Sequence, residues 1–189
     1  MISTDVIIPY WEGSSIEELN YSLYSLKKEL FLINKIIIVC DGENSFFKMQ
    51  IKEKELEEKV LIIYLKDNQG AGKARNTGAI FSKAENILFL DTGDMNINNR
   101  INFQNKVLIS NHVSLGTIKE VNSLGIERIK FCSKNIALAK MVLPYKNPFN
   151  NVSIGIKREL FNKIGGYGET RIGEDWILSG KILKQTDKI

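Results

Sequence analysis

A chain of 189 residues with 43% hydrophobic and 25% charged residues is long enough for one globular domain with its own core and short for two. A net charge of +4 and a pI near 8.9 are too slight to single out a polyanionic ligand or an anionic membrane surface. The basic residues are dispersed and no recognition motif appears, so nucleic acid is not an expected partner. No apolar run approaches the roughly 20 residues of a spanning helix. Asp5 interrupts the stretch where a signal peptide needs apolar residues, and Cys40 and Cys132 form neither a disulfide framework nor a metal-ligand pattern. These features point to the cytoplasm.

In chain order, Asp5 to Pro9 is a short apolar run ended by proline, read as the first strand. Ser15, Ile16, Glu17 and Glu18 form a capping-box pattern. It opens a helix in which Ile16, Leu19, Leu23, Leu26 and Leu30 keep helical spacing. Lys35 to Cys40 is β-branched without polar interruption, the pattern of a strand buried on both faces, and Asp41-Gly42 closes it. A charged, peripheral helix is expected over 45–59, a third strand over 60–65, a glycine-opened helix over 70–84 and a fourth strand over 87–90. Strands alternating with helices imply a parallel sheet with right-handed crossovers, hence a doubly wound α/β fold. The second half is less regular. A helix is expected over 99–110, strands over 113–121 and 129–132, and a polar loop with Pro148 over 146–151. A short helix over 158–164 stops at Gly165-Gly166, and a last helix covers 174–184.

The fourth strand ends in Asp91, Thr92, Gly93 and Asp94. Carboxylates at the carboxyl end of a buried strand stand where open α/β sheets bind ligands. The pair reads equally as a site for Mg²⁺ or Mn²⁺, which would offset the repulsion, and as a solvated turn. Strand one ends in Pro9, Tyr10, Trp11 and Glu12, and strand two in Asp41. In a parallel sheet these ends share one edge. The rings could stack on a base, Asp41 could accept from a base or ribose donor, and a metal could hold a diphosphate. Each feature alone has a plainer reading; an exposed Trp11 is more often a packing residue. Gly70 and Gly72 permit close backbone approach at a helix N-terminus, with Lys73 and Arg75 nearby. Neither the P-loop nor the dinucleotide spacing is present, and a helix cap with solvated basic side chains explains the segment as well. Glu174 and Asp175 fit the first turn of a helix, where acids favour the dipole.

Six segments in order, Val6–Pro9, Asp41–Gly42, Asn68–Gly78, Phe89–Asp94, Lys157–Tyr167 and Gly173–Trp176, together resemble the family 2 glycosyltransferases, from about residue 5 to about residue 180. The resemblance implies the GT-A fold: a Rossmann-like, doubly wound, mostly parallel sheet in an α/β/α sandwich. It implies a single domain, with a nucleotide-sugar-binding half over about 1–98 and an acceptor-side half over about 99–189. It further implies inverting transfer of a sugar from a nucleotide-diphosphate donor, usually a UDP-sugar, with Mn²⁺ or Mg²⁺ as cofactor. The acceptor would be a hydroxyl of a saccharide or lipid-linked saccharide, in capsule, lipopolysaccharide or exopolysaccharide synthesis, with peripheral association at the inner face of the membrane. By position, Trp11 matches the base-stacking aromatic and Asp41 the acid that contacts the base. Pro9, Glu12, Gly70, Lys73, Arg75 and Asp91 fall in donor-site segments. Asp91 and Asp94 occupy the metal motif, and Asp175, with Glu174 beside it, matches the general base. The chemistry agrees: a diphosphate leaving group gains negative charge as the glycosidic bond breaks, and a hydroxyl is a poor nucleophile until a carboxylate takes its proton.

The chain departs from the pattern in three places. Gly93 stands where the family usually has its second acid, so the metal role passes to Asp94 or the metal is bound weakly. Asn151 follows Asn150 where related sequences often place a histidine, and His112, the sole histidine, is read as structural. The chain stops soon after Asp175, where relatives usually continue, which fits a minimal enzyme, a C-terminally truncated product or a fragment of a larger protein. The competing readings are a non-catalytic or truncated nucleotide-sugar binder and a sugar-phosphate nucleotidyltransferase. The latter carries a glycine-rich basic loop after strand one, where this chain has Tyr10 to Ser14.

Overall fold

The computed structural model describes residues 3–42, 54–97, 99–132 and 135–189. Four strands, β1 (Thr4–Trp11), β2 (Lys35–Asp41), β3 (Val60–Leu65) and β4 (Asn86–Phe89), lie parallel in the order β3-β2-β1-β4. The sheet continues with β8 (Gly155–Lys157), antiparallel to β4, and β5 (Val113–Ser114), antiparallel to β8. A separate antiparallel hairpin is made by β6 (Ile118–Val121) and β7 (Glu127–Lys130). The result is the α/β architecture that the alternation of apolar runs and helices predicts.

Alternation along the central strands builds two cores. Val6, Ile8 and Tyr10 of β1, with Ile36, Ile38 and Cys40 of β2, pack under α1 (Ile16–Ser25) and α4 (Arg100–Ser110) through Leu19, Leu23, Ile101 and Leu108. Ile7, Ile37, Val39, Ile87 and Phe89 pack on the other face, with α3 (Ala71–Phe81), α6 (Arg158–Lys163) and α7 (Glu174–Gln185). At Gly78 a Cβ would stand 2.5 Å from Ile7 Cγ2, so glycine lets α3 lie directly on β1.

Several elements differ from the sequence expectation for identifiable reasons. β1 runs past Pro9 to Trp11, because Tyr10 and Trp11 still pair with Cys40 and Asp41. Ile7 is bonded through its carbonyl to Leu90, so the odd residues of β1 point toward β4. Pro9 lies beyond the end of that ladder, loses no bond by lacking an N–H, and accepts through its carbonyl from Thr92 Oγ1 at 2.8 Å. The capping box forms as expected, Glu18 N donating to Ser15 Oγ at 3.1 Å and Ser15 N to Glu18 Oε2 at 2.8 Å. The helix nonetheless ends at Ser25 and tightens into a 3₁₀ segment, Lys27–Leu32. The expected 113–121 strand splits into β5 and β6 in different sheets, and the next strand lies at 127–130 instead of 129–132. The helix α5 (Ile136–Val142) and the three-residue β8 are too short for periodicity to register. Of the charged helix expected over 45–59, residues 45–53 lie outside the described residues, and Lys54–Glu57 is helical as α2.

Two buried acids hold the layers together. Asp5 accepts from Asn34 Nδ2, Lys35 N, Ser82 Oγ and Ala84 N, tying the start of β1 to the loops before β2 and β4. Glu29, 4% exposed, caps α4 from a distance, accepting from Ile101 N at 3.2 Å and Asn102 N at 2.8 Å, and from Asn96 Nδ2 at 2.9 Å. The residue before α4, Asn99, is in the left-handed region and caps nothing with its side chain. Glu29→Ala therefore strands first-turn amides in the interior, and should lower unfolding stability by about 1–3 kcal/mol in urea titration, with Glu29→Gln losing less.

Candidate active site

The carboxyl ends of β1, β2 and β4 and the start of α3 enclose a cavity of about 570 Å³. Of the residues singled out from sequence as donor contacts, Pro9, Trp11, Glu12, Asp41, Gly70, Arg75 and Asp91 line it. Lys73 does not; it faces outward and pairs with Glu169 at 3.7 Å. Asp94, Glu174 and Asp175 also lie outside the lining.

At one end Trp11 is 50% exposed, an open ring at the mouth of the cavity. Gly13 lies against it: a Cβ there would come within 2.1 Å of the indole, so only glycine lets the chain turn back under the ring. Asp41 is buried and accepts from Gln69 N and Gly70 N, each at 2.7 Å. It thereby fixes the loop that opens α3, where Gly70 adopts a φ of +93°. Two carboxylate oxygens offer about four acceptor positions, so Asp41 retains capacity toward the cavity.

The floor is an ion pair. Arg75 Nη2 donates to Asp91 Oδ1 at 2.5 Å, with side-chain exposures of 4% and 33%. The guanidinium also lies 5.3 Å from the centroid of the Tyr167 ring. With the Asn151 amide turned so that its oxygen faces Arg75, it accepts from Nη1 at 3.1 Å and Nη2 at 3.2 Å, and its nitrogen reaches Tyr167 Oη at 2.7 Å. Burial opposes the charge on Arg75, but Asp91, Tyr167 and Glu174 outweigh it and hold its pKa above the ordinary value. Tyr167, itself buried against Phe89 and Phe161, is raised by desolvation.

Asp91 to Asp94 is a turn, closed by Asp94 N donating to Asp91 O at 3.0 Å. Gly93, third in that turn, has a φ of +92°, which side-chain-bearing residues avoid. Backbone geometry therefore explains the missing acid at 93 and carries the next carboxylate to 94. Burial pushes Asp94 up to about 6, with Asp91 adding and Arg100 and Arg75 opposing. The turn and the metal reading are thus compatible. Asp91 keeps one oxygen free of Arg75, and Asp94 follows three positions on at the end of the same turn. Among the described residues no cluster of three or more His, Cys, Asp or Glu forms a metal cage. Asp91 in the cavity lining and Asp94 at the end of the same turn are hard oxygen donors of the kind that would hold Mg²⁺ or Mn²⁺.

Asp175 opens α7. Its Oδ1 accepts from Trp176 N at 2.8 Å and its Oδ2 from Asn147 Nδ2 at 3.0 Å. Glu174 packs on α3: a Cβ at Gly72 would meet Glu174 Cγ at 2.8 Å. Gly72 thus serves the approach of two helices. Sequence reasoning missed Arg171, Asn68 and Thr92, all lining the cavity, and Asn147 and Asn151 behind it. Arg171 donates to Asn68 Oδ1 at 2.5 Å across the cavity rim. A basic residue two places before a helix-opening glycine carries no pattern of its own; the polar run Asn147 to Asn151 was visible but read only as a loop.

Comparison with known proteins bears on the family and the fold. The model for "Glycosyl transferase family 2" matches residues 5–100. Amylovoran biosynthesis glycosyltransferase AmsE of Erwinia amylovora is 25% identical over 182 residues, covering 94% of this chain and 68% of its own length. Among solved structures, S. aureus TarS 1–349 in complex with UDP-GlcNAc superposes with a TM-score of 0.69 at 18% identity, over 95% of this chain and 53% of that one. Its complex with UDP gives 0.67 at 19% identity, over 94% and 54%. The chain therefore spans about half the length of the TarS fragment. Among the described residues no helix is long and apolar enough to cross a membrane. With the family model covering half of its length, and its GT-A sheet shared with TarS, the chain belongs to glycosyltransferase family 2.

Proposed function

We propose that this glycosyltransferase moves a sugar from a UDP-sugar to an acceptor hydroxyl in the assembly of a cell-surface polysaccharide, inverting the anomeric centre. The observation that carries the reading is the single cavity in which an open Trp11 ring, the Asp41 carboxylate and the Asp91 carboxylate stand at three adjacent strand ends. A uracil-sized ring stacked on Trp11 would face Asp41, and the diphosphate would extend toward Asp91. UDP and UDP-GlcNAc in the TarS complexes support the donor class, and the part of AmsE in amylovoran biosynthesis supports the acceptor class.

Asp91 and Asp94 are the residues that would hold a divalent cation, whose chemistry is to offset the charge growing on the leaving diphosphate. Arg171 supplies a second positive charge at the rim; its partner Asn68 is neutral, whereas Arg75 is committed to Asp91. Asp175 takes the acceptor proton as the acceptor oxygen forms its bond to the anomeric carbon. The bond to the diphosphate oxygen breaks on the opposite face, and its electron pair leaves with UDP.

Nucleotide release from a panel of UDP- and GDP-sugars should require Mn²⁺ or Mg²⁺ and stop with EDTA. Asp175→Asn should retain UDP binding and lose release by on the order of 100-fold; release at the wild-type rate in that variant would remove Asp175 from the mechanism. Arg171→Ala should weaken UDP binding about tenfold in calorimetry while leaving uridine binding unchanged, because the loss is confined to charge-assisted contacts with phosphate. Equal losses for both ligands would place Arg171 away from the diphosphate.

The carboxyl pair also has a stability signature. Asp94 titrates at about 6 in the folded protein, above the ordinary carboxylate value of about 3.9. The folded state therefore holds this proton more tightly, and its stabilising effect is lost as pH rises toward and through 6. Asp94→Asn, without metal, should melt above wild type at pH 7.5, and the gap should close toward pH 4.

A further inference from the structure

Asn147 has no contact with the cavity, yet its side chain is fully engaged. Its Oδ1 accepts from Phe149 N at 3.1 Å and lies 2.7 Å from the Ser179 hydroxyl, and its Nδ2 donates to Asp175 Oδ2 at 3.0 Å. The Phe149 N–H can only donate, and the single Ser179 proton is shared between Asn147 Oδ1 and the Asp175 carbonyl. The reversed amide would turn its NH₂ toward the Phe149 N–H and its oxygen toward a carboxylate, so the orientation is dictated from behind. Ser179 sits one helical turn after Asp175, within 3.0 Å of the Asp175 carbonyl. A second tie, Trp176 Nε1 donating to Leu143 O at 2.6 Å, fastens the same first turn of α7 to the segment after α5.

We propose that Asn147 is a positioning residue for Asp175: the donor that fixes one oxygen of the carboxylate so that the other lone pairs face the acceptor hydroxyl. The inference rests on the reading of Asp175 as the general base. Trp176 N holds Oδ1 of Asp175 from its own chain neighbour, and Asn147 is the donor from outside the helix that holds the other oxygen. A donor with one permitted direction fixes where that oxygen lies, and misplacement of a base by an ångström costs on the order of 100-fold in rate.

Asn147→Ala removes the donated bond without adding charge. Asn147→Asp keeps the shape and the bonds from Phe149 N and Ser179 Oγ but sets a carboxylate against Asp175, so a fall in kcat is read as loss of the bond only where both variants show it. In the full chain, with the best donor of the panel and Mn²⁺, kcat for nucleotide release should fall by roughly 10- to 100-fold. KM for the donor, the Kd for UDP and Tm should stay close to wild type. Asn147→Ala should share the fall in kcat. Wild-type kcat in Asn147→Asp, with Asp175→Asn inactive, overturns the positioning role alone. A fall in kcat matched by loss of UDP affinity or of Tm also overturns it, since that is the mark of a structural residue. Wild-type release by Asp175→Asn, or no release by the wild-type protein with any donor, overturns the base reading and this inference with it.

Discussion

The site depends on a guanidinium held in the interior. Arg75 on α3 is nearly inaccessible, and a charge there is tolerable only if several groups answer it. Asp91 supplies the counter-charge from the end of β4, Tyr167 a ring face from the turn after α6, and Asn151 an acceptor from the loop before β8. Three segments spread over the chain thus converge on one side chain of α3. The arrangement fixes Asp91 through one oxygen and leaves the other toward the cavity. It also fastens the irregular second half of the chain to the parallel sheet, where the strands beyond β4 are too short to do so by ladder bonds alone.

The same economy of means appears in the segment Asn147 to Asn151. Asn147 reaches α7, Asn151 reaches Arg75 and Tyr167, and Asn150 donates to Gly116 O at 3.3 Å and Lys130 O at 3.0 Å. Asn150 thereby holds the end of β7 and the segment leading into β6 beside the sheet. Side-chain amides suit this work because each carries a donor and an acceptor without charge, so one residue can bridge two backbones in a partly buried place where an ion would need a partner.

Legibility from sequence followed from how burial is achieved. β1, β2 and β4 are buried on both faces, so their residues are continuously apolar and their ends are marked by the first polar residue. Because parallel strands all deliver those ends to one edge, Trp11, Asp41 and Asp91 could be placed together before any coordinates. The second half offers no such rule. β5 and β8 are two and three residues long and owe their conformation to neighbours; Val113 and Ile156 are buried by contacts from residues far off in sequence. Glu29 capping α4 from more than 70 positions away, and Asn147 turned toward Asp175, are tertiary facts with no local signature. Gly93 marks the boundary between the two cases. As a departure from a motif it looked like a loss; as the third residue of a turn it is a requirement of the backbone.

This division has a consequence for how chemistry could be distributed over the fold. The groups assigned to the donor stand on strand ends and on the first turn of α3, held by ladder bonds and a close-packed core. The proposed base stands on α7, which Leu178, Ile182 and Leu183 pack into the same core and which side-chain bonds tie further to Asn147 and, through Trp176, to Leu143. The link between the two regions is again Arg75 and Tyr167: Glu174, beside the proposed base, adds to the field on Arg75, and Asp175 and Asp91 both act on Tyr167.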